Sequence, residues 1–204
     1  NKDYGNVRGI EFKLDGNYGN LNTYINYTLQ YTRGIADSPT QAFSREGQSL
    51  DPVNKLIPMS WDQRHTFNIT VAYDENNFGI SSTTYFNSGT PYTFEPLSES
   101  QLAQINLLPN NDYKPFNYNI DVTGYYKLNI GGYKSRITFS IYNLTDRLNE
   151  VWVNSKTGQA YTDVLSSSQI DGYRSNFSTI EETYQNPSMY SAPRSVKIGF
   201  EIIL

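Results

Sequence analysis

The sequence predicts an all-β fold: one antiparallel up-and-down sheet, curved as a segment of a transmembrane β-barrel wall. Three observations predict it. Seven segments alternate apolar and polar residues with a period of two, and their charges keep almost entirely to one face. The connections between these segments alternate short and long. The closing stretch, Lys197 to Leu204, carries the alternation through to an apolar last residue.

Each element has its own warrant. In residues 7–15, Arg8, Ile10, Phe12 and Leu14 share one face, against Gly9, Glu11, Lys13 and Asp15. In residues 21–32, Leu21, Thr23, Ile25, Tyr27, Leu29 and Tyr31 oppose Asn22, Tyr24, Asn26, Thr28 and Gln30. In residues 66–73, Phe67, Ile69, Val71 and Tyr73 oppose Thr66, Asn68, Thr70 and Ala72. Residues 78–85 are weaker, with Phe78 and Ile80 followed by Ser82 and Thr84. Residues 116–128 place Phe116, Tyr118, Ile120, Val122 and Leu128 against Asn117, Asn119, Asp121, Tyr125 and Lys127. Residues 136–142 place Ile137, Phe139 and Ile141 against Arg136, Thr138 and Ser140. In the last strand Val196, Ile198, Phe200, Ile202 and Leu204 oppose Ser195, Lys197, Gly199 and Glu201. Ile10, Phe12, Ile25, Leu29, Phe67, Ile69, Val71, Ile120, Val122, Ile137, Phe139, Ile141, Ile198 and Phe200 are expected to share a lipid-facing side. Arg8, near a strand end, is the one charge on the apolar faces of these segments.

The short connections are residues 16–20, 74–77 and 129–133; the long ones are 34–64, 87–115 and 143–194. Long connections on one edge and tight turns on the other describe the extracellular and periplasmic sides of an outer-membrane barrel. A compact sandwich favours short links throughout. Seven strands make an open sheet, and a bilayer does not tolerate open edges. The remaining strands are therefore expected from chain outside these residues. The sequence lacks an initiating Met and opens directly in a strand pattern, so residues 1–204 are read as one barrel portion of a longer protein.

Composition narrows the function classes. A net charge of -4 without a basic patch gives nucleic-acid binding no support. The absence of Cys removes disulfide scaffolds and thiolate metal sites. The single His, His65, has no nucleophile motif beside it, so no catalytic set and no cofactor site is expected. One His with scattered carboxylates is also a weak metal site. Asn110-Asn111-Asp112 and Asp171-Gly172 could hold Ca²⁺, but turn chemistry is the better reading. Sequons at Asn26, Asn68, Asn143 and Asn176 are cheap in so Asn-rich a chain. Tyr18, Tyr31, Tyr73, Tyr92 and Tyr126 lie near predicted strand ends, where an interfacial aromatic girdle would sit, with Tyr31 and Tyr73 the favoured members.

The closing residues resemble the C-terminal signal of bacterial outer-membrane barrels: polar, any, Gly, two of any, apolar, any, apolar. Lys197, Gly199, Ile202 and Leu204 occupy those places, with Leu204 where most such barrels have Phe. The resemblance implies recognition by the β-barrel assembly machinery. Four interior motifs narrow it further. Ser60-Trp61-Asp62-Gln63-Arg64-His65 leads into a strand, and Asn87-Ser88-Gly89-Thr90-Pro91-Tyr92-Thr93 follows another. Tyr142-Asn143-Leu144-Thr145-Asp146-Arg147 follows the sixth, and Ala192-Pro193-Arg194 opens the last. In this order they resemble the C-terminal part of the barrel of TonB-dependent outer-membrane receptors, in the style of Bacteroidota-like bacteria. Such barrels have about 22 strands and a plugged lumen.

The resemblance implies an outer-membrane location and uptake of a scarce ligand such as a siderophore, glycan or peptide. Lipid surrounds the wall, and TonB acts only through an N-terminal plug outside these residues. Locally, Asp62, Arg64 and His65 are expected to form ion pairs or loop hydrogen bonds. Gly89-Thr90-Pro91 should end strand pairing, and Asn143 and Asp146 should shape a turn. The alternative is a secreted or surface-attached soluble β-sandwich that binds carbohydrate; an enzyme is a distant third.

Overall fold

The computed structural model describes residues 4–50, 52–95, 107–160 and 186–203. Seven strands follow one another across a single antiparallel sheet: β1 (Gly5–Tyr18), β2 (Leu21–Gly34), β4 (His65–Asp74), β5 (Phe78–Asn87), β8 (Asn117–Ile130), β9 (Tyr133–Tyr142) and β10 (Ser195–Ile203). Each predicted strand is present, and each pairs with its neighbour in sequence. The registers run without a bulge, from Gly5 opposite Gly34 to Ile203 opposite Lys134. β5 forms despite its weak pattern because it is paired on both sides and is rich in Thr, Tyr and Phe.

The tight turns all lie on one edge. Gly19, at φ +59, closes β1 to β2, and Gly131 and Gly132, at φ +60 and +91, close β8 to β9. Two successive positive φ values suit a hairpin turn whose twist matches that of its strands. The three long connections lie on the opposite edge, as predicted. They are not irregular throughout, however. The first contains helix α1 (Gln41–Gly47) and β3 (Ile57–Pro58), which pairs with the end of β2. The second folds back on itself as β6 (Pro91–Tyr92) against β7 (Asp112–Tyr113). Strands also extend further into the predicted turns, so residues 16–18 belong to β1 and 133–135 to β9.

The sheet is open: β1 pairs only with β2 and β10 only with β9, and no closed barrel forms among the described residues. It is also a single layer. Every extended contact between elements runs along the sheet or within the small β6–β7 ladder. Among the described residues the buried hydrophobic side chains are Ile57, Met59 and Ala160, all in the long connections rather than between two layers.

Candidate functional site

Register fixes which side chains share a face, because directly paired residues point the same way. All fourteen residues expected on the apolar side fall on one face: Ile10 opposes Leu29, Ile25 opposes Ile69, Val122 opposes Ile141, and Phe139 opposes Ile198. None is buried, and Ile10 and Ile198 are 70% and 80% exposed. The other face carries Glu11, Lys13, Asp15, Asp121, Lys127, Arg136, Lys197 and Glu201 among Asn, Thr and Ser.

The apolar face is ordered along its height. Phe12, Tyr27, Phe67, Phe86 and Tyr118 oppose one another across five adjacent strands, near the long-loop edge. Phe78, Tyr126, Ile137 and Phe200 form a second row near the turn edge, with the Tyr73 ring tilted against Phe78 at 5.7 Å. Aliphatic residues, Phe139, Gly124, Ser82 and Thr84 lie between. The upper row was not legible from the sequence, since it exists only once registers are known. Of the tyrosines singled out, Tyr18, Tyr73 and Tyr126 lie at the turn end of the apolar face. Tyr31 lies on it at the loop end, under the Arg64 guanidinium. Tyr92 does not belong there. It sits in the β6–β7 ladder and donates a hydrogen bond to Asp112 at 3.2 Å, because the second long connection pairs with itself.

The C-terminal residues fall as the alternation requires. Lys197 opposes Ser140 on the polar face and sits over the Tyr142 ring at 5.2 Å. Gly199 opposes Thr138, whose Oγ1 would lie 2.6 Å from an added Cβ. Ile202, on the apolar face, opposes Ser135 and is exposed. Leu204 lies outside the described residues. The free edge of β10 leaves its outward backbone groups unpaired.

The long-loop edge is held by side chains. Asp62 is fully buried and accepts from the Thr32 amide at 2.7 Å and the Tyr113 hydroxyl at 2.9 Å. Arg64 pairs with Asp62 at 3.5 Å, donates to Tyr113 at 2.7 Å, and lies over the rings of Tyr31 and Tyr113. Asn110 bridges the same two loops, donating to Asp37 and to the Pro58 carbonyl. Burial, and next the hydrogen bond to the Asp62 carboxylate, hold the Tyr113 phenol above its ordinary pKa. Tyr92 is pushed up to about 12 by burial and the Asp112 charge.

Between β9 and β10 a second group does similar work. Asn143 and Asp146 adopt left-handed φ values of 55° and 53°. The Asn143 amide donates to the carbonyls of Arg147 and Ala192, and Asp146 accepts from the Arg194 amide. Asn149 exchanges two bonds with the Tyr118 backbone, at 3.0 and 2.9 Å. Its side chain thus continues the ladder where β9 has ended. The Arg147 guanidinium lies over Phe116 and Tyr118. The sequence pointed to Asp62, Arg64, Asn143 and Asp146. It missed Tyr113 and Asn149, and it read Asn110 as turn chemistry without its bridge to Asp37; these partners lie 31 to 73 residues away.

His65 stacks on Tyr27 and shares a hydrogen bond with its hydroxyl at 2.9 Å. No group of three His, Asp or Glu able to hold a metal occurs among the described residues. Asn110, Asn111 and Asp112 are engaged in turn and ladder bonds; Asp171, Gly172 and the Asn176 sequon lie outside the described residues. Asn26 and Asn68 oppose one another within strands, and Asn143 is 5% exposed. Compared with known proteins, the chain matches no family model, no curated protein and no solved structure.

Proposed function

We propose that this chain forms part of the wall and outer loops of an outer-membrane β-barrel that takes up a scarce ligand, driven through TonB. The observation that carries the membrane reading is the uncovered apolar face with an aromatic row at each end. Phe78 and Phe86 on β5 are eight residues apart, roughly 27 Å along a strand. A strand tilted about 40° turns that into roughly 20 Å of height, close to the about 25 Å apolar band of such barrels. The free edges of β1 and β10 pair with further strands of the complete wall, which the resemblance puts at about 22. Soluble sandwiches bury one face of each sheet against another, and no second layer lies over this one among the described residues. Uptake of a siderophore, glycan or peptide, and the roles of TonB and the assembly machinery, rest on the motif resemblance alone.

Residues 1–204 contain no Cys, so a thiol introduced among them is unique within this stretch. Ile69→Cys and Thr70→Cys are introduced separately into the full-length protein in outer membranes. A water-soluble maleimide should label the second and spare the first until detergent is added. Equal labelling of both would sink the membrane reading. A second test is Phe139→Arg, which at mid-bilayer should cost roughly 2–4 kcal/mol.

A further inference from the structure

At the loop end of β1 and β2 the apolar face changes character. Arg8 opposes Tyr31, and Arg33 opposes Asn6, so all four share that face. Sequence periodicity had assigned Arg8 there; the extension of β2 to Gly34 adds Arg33 beside it. Within the main sheet they are the only Lys, Arg, Asp or Glu side chains on the apolar face. They are diagonal neighbours, about 7–8 Å apart, and like charges so placed repel. Neither guanidinium has a hydrogen bond, ion pair or ring contact among the described residues. Together with Asn6, Tyr31 and Leu56 they line a shallow cleft of about 140 Å³.

We infer that this cleft binds the phosphate of an anionic lipid headgroup, specifically a phosphorylated, multiply acylated glycolipid of the outer leaflet. The inference rests on the membrane reading above. Two guanidiniums supply forked donors matched to phosphate oxygens, and a phosphate between them removes their mutual repulsion. Tyr31 and Asn6 add neutral donors, and exposed Leu56 offers an apolar contact for an acyl chain. The height also fits. Arg8 lies four residues beyond Phe12, roughly 14 Å along the strand on the loop side of the aromatic row. That is where headgroups meet the wall.

The test uses the full-length protein in phosphatidylcholine vesicles with and without a minor fraction of diphosphorylated lipid A. Lipid retained through detergent extraction and purification is quantified by mass spectrometry. Wild type and Lys134→Gln, on the polar face, should retain lipid A equally. Arg8→Gln/Arg33→Gln should retain at least about tenfold less, as expected on losing two charge-assisted contacts. Dephosphorylated lipid A should not be retained by wild type. Equal retention by the double variant overturns the proposal, and so does full displacement by millimolar inorganic phosphate, which would mark a site for free anions. Labelling of Ile69→Cys is measured in the same samples. Protection there with equal lipid retention overturns the headgroup site alone, whereas loss of protection overturns the membrane reading beneath it.

Discussion

The two edges of this sheet are built on different principles. The turn edge is closed by local chemistry: Gly19, Gly131 and Gly132 take positive φ within two-residue connections. The β4–β5 turn, which has no such glycine, is instead tied across the sheet by the Tyr125 hydroxyl donating to Asp74 and Lys127 donating to the Asn76 carbonyl. The loop edge is closed by side chains that reach across the sequence. Asp62 serves the Thr32 amide and the Tyr113 hydroxyl, Asn110 reaches Asp37, and Asn149 completes the ladder beside Tyr118. The two glycine turns can form as isolated hairpins, whereas the loop edge draws its partners from several connections at once. Long connections therefore need not be loose. They are tied to the sheet at a few buried polar points.

Asp62→Ala should break that contrast most severely. It leaves the Thr32 amide, the Tyr113 hydroxyl and Arg64 without their shared acceptor. Removing one partner of a buried charged group costs about 3–5 kcal/mol. Hydrogen exchange in the full-length protein should show the Thr32 amide and the β6–β7 ladder losing protection, with the hairpin amides around Gly131 unchanged. A uniform loss over both edges would show that the edges are not independent.

Asn149→Ala is the next step down. The two orphaned backbone groups of Tyr118 should cost about 1–3 kcal/mol. Limited proteolysis between β9 and β10 should accelerate, while the loop joining β2 to β4 keeps its rate. Equal acceleration in both loops would mean that the two side-chain clusters form one unit.

Gly132→Val tests the opposite edge. At φ +91 a β-branched residue is strained, by of order 1–3 kcal/mol. The effect should appear as exchange confined to the β8–β9 turn, with Asp62 contacts unaffected. An undisturbed turn would show that the hairpin tolerates another backbone path.

These differences also explain what was legible in advance. The strands, their order and the segregation of turns could be read from alternation along each segment and from the lengths of the connections, because a period of two is a local property. The apolar side was equally readable, down to Arg8. The aromatic row from Phe12 to Tyr118 was not, because it depends on four independent registers rather than on any one segment. Neither was the Arg8–Arg33 pair, since Arg33 lay just past the predicted end of its strand. Among the loop residues, Asp62 and Asn143 stood out in motifs. The bonds that tie them to Tyr113 and Ala192 were not legible, because a hydrogen bond spanning about fifty residues leaves no periodic trace. The ladder of β6 and β7 went unseen for a related reason: two-residue strands are too short to show alternation.

The smallest expected effect separates the edges by pH. Tyr113 and Tyr92 are both at the loop edge, and both titrate above the ordinary phenol value of 10.0. A tyrosine whose folded pKa is raised holds its proton better in the folded loop than in the unfolded one. Its stabilisation is therefore complete below pH 10 and fades as pH climbs through the folded value, about 12 for Tyr92. Loop-edge stability should accordingly fall between pH 10 and 12, while the glycine turns, which contain no such group, hold. Tyrosinate absorbance should show these two phenols among the late-ionising ones, and Tyr92→Phe with Tyr113→Phe should diminish the late component. Asp112→Asn offers a finer check: it deletes the charge beside Tyr92 and should bring that phenol down, leaving Tyr113 in place. If the late component were undiminished in the double Phe variant, Tyr92 and Tyr113 would not contribute to it, and the alkaline sensitivity of the loop edge would need another source.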